Sequence, residues 1–204
     1  MFRGHPEAHR FAEALANGGW DAGTRLPSHT PGCFGCGPEN PASLGLQVVA
    51  SADGGVEADL TFDQRFQGAP GVVHGGAIAG AMDDIFGAVL IRELVVAVTV
   101  DLQVSFRRSL HLEEPCFVTA WLVERGGREL QIAGQIEQHG RVKVEAEGRF
   151  REIEAERLLT RYERRPVTDD PTTGQRRPAT DDSATEQRRP ATAERRPATD
   201  EGAR

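Results

Sequence analysis

The reactive side chains of this sequence gather in one stretch. His74-Gly75-Gly76 is followed by Asp83, nine residues after the histidine, and by Thr99, sixteen residues further on. Gly75 and Gly76 fall where a helix is expected to begin. Their N–H groups can point outward at an oxyanion, helped by the positive end of the helix dipole. Asp83 can act as a base or as a nucleophile on the same ligand. Amide donors with a carboxylate suit attack on a polarised carbonyl. The plain alternative is a core helix with a glycine-rich entrance and a solvated Asp83.

The elements that must position these groups follow from periodicity. Gly68, Pro70 and Gly71 mark a loop on the approach. Ile78, Met82, Ile85 and Val89 then share one helical face. Gly76, Gly80, Asp83 and Gly87 form a second stripe. A glycine costs a helix about 1 kcal/mol relative to alanine, so this stripe implies close approach by another backbone or a ligand. Leu44–Ala50 and Val56–Phe62 read as paired strands around a Ser51–Gly55 turn. Val95–Phe106 alternates strictly, with Val96, Val98, Val100, Leu102, Val104 and Phe106 on one face and Thr99 on the other. Strands over Cys116–Val123, Glu129–Ile136 and Arg141–Phe150 complete a meander. Two strands, a helix and four strands give an α+β domain. Before it, residues 1–17 carry a helical pattern, with Pro6 in its first turn and Phe2, Phe11, Ala14 and Leu15 able to dock.

Cys33-Phe34-Gly35-Cys36 raises a metal question. Thiolates at this spacing can share a tetrahedral ion, but a closed site needs two further ligands. His29 is the nearest, and there is no second C-x-x-C. The expectation is a compact glycine-proline turn that positions the first strand, with no metal. A thioredoxin-like redox site is disfavoured because no strand precedes the pair.

Composition narrows the function classes. A net charge of −7 argues against a nucleic-acid binder. The three cysteines give no even disulfide framework, which fits a reducing cytoplasm. No long apolar run suggests a membrane span or a secretory leader. From Arg164 the sequence repeats Arg-Arg-Pro-(Val/Ala)-Thr, at intervals of twelve and then seven residues. Residues 164–204 carry a balance of +1, which leaves −8 for the rest. So little apolar content predicts a disordered tail. The expected division is an arm over 1–29, a domain over 30–153 and a charged end with the repeats over 154–204.

His74-Gly75-Gly76 with Asp83 resembles the motif of the hotdog-fold acyl-CoA thioesterases of the PaaI-like group. Cys33, Cys36, Gly37, Asn40, Pro41, Gly45 and Leu46 are similar to a lead-in segment common in that group. The resemblance covers about residues 30–152. It implies an antiparallel sheet wrapped around one long helix, and a homodimer or homotetramer with active sites between subunits. It implies hydrolysis of an acyl-CoA without cofactor or metal. Asp83 would be base or nucleophile, the Gly75 and Gly76 amides would polarise the carbonyl, His74 would fix the loop or contact the thioester, and Thr99 would orient water. Val73, Arg107 and Arg108 would meet the substrate, the arginines through coenzyme A phosphates. Some relatives place an asparagine where Gly68 stands here. The rival reading is a non-catalytic acyl-CoA binding protein on the same fold. A hotdog hydratase is weaker, because no aspartate–histidine dyad is apparent around His74.

Overall fold

The computed structural model of the chain describes residues 7–154; Phe2, Pro6 and the repeat tail lie outside them. Helix α1 (Ala8–Ala16) leads into a long loop. Strands β1 (Val49–Ala50) and β2 (Val56–Thr61) come next, then a 3-10 turn (Gln64–Phe66) and helix α2 (Gly75–Arg92). Strands β3 (Ala97–Phe106), β4 (Pro115–Gly126), β5 (Glu129–Gln138) and β6 (Arg141–Glu152) follow. All six strands pair antiparallel in one sheet, in the order β1-β2-β4-β5-β6-β3. This is the hotdog arrangement: α2 lies against the sheet and contacts β2 to β6. Among the described residues, no helix is long and apolar enough to cross a membrane.

The sequence of α2 explains its burial. The four residues of its expected apolar face, Ile78, Met82, Ile85 and Val89, are at most 3% exposed. Ala77, Ala81, Phe86, Ala88, Leu90 and Ile91 are buried as well, so the helix is apolar on most sides, as a core helix should be. Phe86 makes the tightest fit. Its ring meets Phe150 edge-on at 6.1 Å. Gly134 on β5 and Gly148 on β6 leave room for that ring, since a Cβ on either would fall 2.7–2.8 Å from it. Phe11 and Ala14 of α1 join the same core, and the Phe11 ring packs edge-on against Trp20. Trp20 Nε1 donates to Ile91 O near the far end of α2.

Two strands depart from expectation. The first was expected over Leu44–Ala50, but only Val49 and Ala50 pair with β2. Leu44 and Leu46 instead give their N–H groups to Phe34 O and Gly35 O, so the C-x-x-C turn takes the bonds a ladder would have used. The second difference is in β3, where the register against β6 shifts between Thr99 and Asp101. The extra residue breaks the strict alternation. Thr99 therefore faces α2, as do Leu102 and Val104 beyond the shift, whereas Val98 and Val100 are 41% and 47% exposed.

Gly148→Ala should overfill the space around Phe86 and cost about 1–3 kcal/mol. Phe86→Ala should cost about 3–5 kcal/mol by leaving a cavity. Urea unfolding of both variants, read against the wild type, measures these losses.

Candidate functional site

The His74-Gly75-Gly76 loop is held from several sides. His74 is the N-cap of α2, and its own N–H donates to Phe66 O at 2.8 Å. Its Nδ1 accepts the Gly76 N–H at 2.9 Å, which places the proton of the neutral ring on Nε2. This is the loop-fixing arrangement for His74. It also changes the expectation for Gly76, whose amide is engaged by His74 and is not open to a ligand in this structure. Gly75 supplies the first amide of the helix, which has no intrahelical acceptor.

Val73 was expected at the substrate, but it is 4% exposed and belongs to the core. Its N–H donates to Leu110 O, and Leu112 N–H donates to Gly71 O. Buried Gln138 anchors that neighbouring segment by accepting from His111 N–H and donating to His111 O and Glu114 O. No sequence pattern signals this support. A Cβ on Gly68 would lie 3.0 Å from His74 Cα, so the loop is drawn close at the position where some relatives carry asparagine. Gln67 spends its side-chain carbonyl on Gly71 N–H.

Asp83 lies two turns along the same helix and is part-buried. The Thr99 hydroxyl donates to Asp83 Oδ1 at 2.9 Å. The two residues implied by the resemblance as base and water-orienting group are thus hydrogen-bonded to each other. The structure does not bring them together with the Gly75 amide, however. Eight residues of helix separate Gly75 from Asp83 by about 12 Å, whereas one reacting carbon needs both groups within about 3 Å. The two halves cannot act on a single carbonyl within one chain.

The arginines divide. Arg107 Nε pairs with Glu145 at 2.6 Å on the surface, while Arg108 is exposed and makes no ion pair among the described residues. Among the aromatic residues, Phe62 and Phe86 belong to the core. Phe106 is 56% exposed and approaches Gly75, so it can flank a ligand at the helix start. A cleft of about 580 Å³, lined in part by Arg10, Arg25, Arg65 and Cys36, shares no residue with the His74–Gly76 loop, Asp83 or Thr99.

A second polar cluster sits on another side of α2. Asp84 is buried at 8% exposure, and its Oδ1 lies 3.1 Å from both His29 Nδ1 and Cys33 Sγ. His29 Nδ1 is also 3.1 Å from Cys36 Sγ. Burial disfavours the charged imidazole, but its bonds to Asp84 and Cys33 outweigh this and raise the His29 pKa to about 10. Hydrogen bonds with Cys36 and His29 lower that of Cys33, while the bond to Cys33 and burial raise that of Cys36. Burial also raises that of Asp84. Asp84 does not stand out in the sequence beside its neighbour Asp83. The glycine stripe was the signal that could have found it. Phe34 crosses Gly80 and His29 crosses Gly87, where added Cβ atoms would lie 2.8 Å and 2.2 Å from their rings.

Comparison with known proteins bears on the fold and the family. The thioesterase superfamily model matches residues 70–145. Acyl-coenzyme A thioesterase THEM4 of Mus musculus is 33% identical over 98 residues, covering 47% of this chain and 42% of the relative. The chain thus spans about two fifths of the length of that curated relative. A crystal structure of a thioesterase superfamily protein has a TM-score of 0.58 at 29% identity, covering 73% of this chain and 80% of that one. The E. coli PaaI protein from the phenylacetic acid degradation operon has a TM-score of 0.51 at 17% identity, covering 54% of this chain and 81% of that one, and shares the fold.

His74→Ala should remove the helix cap and cost about 1 kcal/mol. His74→Asp should recover most of that loss, because a carboxylate also caps. Denaturant midpoints of the two variants, compared with the wild type, provide the check.

Proposed function

We propose that the chain is a hotdog-fold thioesterase that hydrolyses acyl-CoA thioesters to the free acid and coenzyme A, a reading supported by the thioesterase superfamily match over residues 70–145. The observation that carries the reading is the Thr99–Asp83 hydrogen bond. It occupies one oxygen of a part-buried carboxylate and leaves the other for the reaction. In the base route, Asp83 takes a proton from water as the oxygen adds to the thioester carbon. The tetrahedral intermediate expels the thiolate of coenzyme A, which recovers the proton from Asp83. In the nucleophile route, Asp83 attacks the carbon itself, coenzyme A leaves, and water hydrolyses the mixed anhydride. Both routes use the Gly75 amide and the positive end of α2 to stabilise the developing oxyanion. Arg108, and Arg107 in exchange for Glu145, can meet the phosphates of coenzyme A.

The separation of Gly75 from Asp83 calls for a second copy of the chain. Each carbonyl would be polarised by the helix start of one protomer and attacked from Asp83 of the other. Strand β3 offers the means of pairing. It is an edge strand, with Val98 and Val100 exposed along it. Such an edge is a template for another strand. We propose a homodimer, or a tetramer built from it, with the active sites between subunits.

Free-thiol release from short, medium, long and aromatic acyl-CoAs tests the reaction. Asp83→Asn should lower kcat on the best substrate by about 10²–10⁴-fold, the contribution typical of a positioned base. Thr99→Val should lower it by about 10–100-fold, the equivalent of one hydrogen bond to a charged group. Acyl-CoA binding without thiol release from any substrate would instead favour a binding protein.

The shared site has its own test. Gly75→Pro removes the amide donor at a helix position that tolerates proline. Neither Gly75→Pro nor Asp83→Asn should turn over substrate alone. Chains of the two variants assembled together should regain a measurable part of the activity, because a mixed dimer contains one site with both groups intact. No recovery in verified mixed assemblies would overturn the pairing of Gly75 with Asp83 in one reaction.

A further inference from the structure

We propose that His29, Cys33, Cys36 and Asp84 bind one zinc ion, which fastens the segment before β1 to helix α2. One ligand atom from each residue lies within 4.8 Å of the other three. Three of the pairs, His29 Nδ1–Cys36 Sγ, Cys33 Sγ–Asp84 Oδ1 and His29 Nδ1–Asp84 Oδ1, are each separated by 3.1 Å. Zinc bond lengths of about 2.0–2.3 Å give ligand-to-ligand edges of roughly 3.3–3.8 Å in a tetrahedron. The observed spacings bracket that range, so a shift of a few tenths of an ångström along the close edges would admit the ion.

Several features point to a ligand here in preference to a hydrogen-bond network alone. Asp84 Oδ2 is buried without a hydrogen-bond partner, and the side chain is only 7% exposed. Burying a carboxylate in that state is costly, and a cation in contact with it removes the cost. A cavity of about 20 Å³ borders His29, Cys36 and Asp84 and is large enough for one small occupant. The His29 N–H points at Cys36 Sγ from 3.3 Å, the kind of outer bond that supports a thiolate ligand. The surroundings leave space for the cluster. A Cβ on Gly35 would fall 2.1 Å from Asp84 Cγ, and one on Gly87 would fall 2.2 Å from His29 Nε2. Nδ1 is thus the imidazole atom turned to the ion.

The donor set selects the metal. Two thiolates and an imidazole suit zinc and disfavour magnesium or calcium, which take oxygen ligands. On binding, the protons held among the thiols and the imidazole leave to solvent, and the ion replaces them. Four protein ligands fill the tetrahedron and leave no position for a substrate, so the site is structural. It is independent of the reaction proposed for Asp83.

The experiment is metal analysis of the full-length protein, purified with reductant and without chelator, followed by cobalt(II) loading of the metal-stripped chain. The expected result is about one zinc per chain. Cobalt should give the intense visible bands of a four-coordinate ion and a thiolate-to-cobalt band in the near ultraviolet. Cys33→Ser and Asp84→Asn should each weaken cobalt binding at least tenfold, while Cys116→Ser should retain both spectral features. A wild-type chain isolated without zinc that gives only the weak spectrum of six-coordinate cobalt would overturn the proposal, even if the variants fail to fold. Undiminished cobalt binding by a folded chain lacking both Cys33 and Cys36 would overturn it too.

Discussion

A helix buried on most of its circumference can carry a carboxylate only where a polar partner is brought to it. Apart from the terminal Arg92, helix α2 fills its other positions with glycine and apolar side chains, so its carboxylates are confined to Asp83 and Asp84. Each is answered separately. Thr99 comes to Asp83 from β3, and His29 with Cys33 comes to Asp84 from the segment before β1. The shift in β3 and the short pairing of β1 both accompany these meetings. One turns Thr99 toward the helix; the other diverts Leu44 and Leu46 to the C-x-x-C turn.

The same helix separates the two parts of the proposed chemistry. Its N-terminus carries the oxyanion donor, and the carboxylate is two turns away. A shorter spacing would place Asp83 in the loop, where the core could not hold it against Thr99. A longer one would bring it toward the hydrophobic end around Leu90 and Ile91. The proposed pairing across β3 would reconcile a rigid, buried helix with a site that needs both of its regions, because two-fold symmetry would bring the start of one helix to the middle of another.

Much of this was legible in the sequence, for identifiable reasons. The core face of α2 and the meander of β4 to β6 follow from periodicity, while the pairing of Thr99 with Asp83 agrees with the family resemblance. What escaped was tertiary. Val73 reads like any residue beside a motif, and only the path of Leu110 beside it shows that it belongs to the core. The engagement of Gly76 N–H by His74 depends on a side-chain rotamer. Asp84 was overlooked because it falls outside both stripes drawn on the helix. The need for close approach at Gly80 and Gly87 is legible in the helix, but the approaching groups, Phe34 and His29, are not.

Adjacent residues on a helix point about 100° apart, and this gives Asp83 and Asp84 a mechanical consequence. The helix is gripped at two azimuths by segments far apart in sequence, β3 and the stretch around His29. Any roll about its axis would disturb both contacts at once. Rearrangement on binding a ligand is thereby restricted to motions that carry α2, Thr99 and the His29–Cys36 segment as one body, or to hinging at the His74 cap. The two carboxylates act together as a rotational lock.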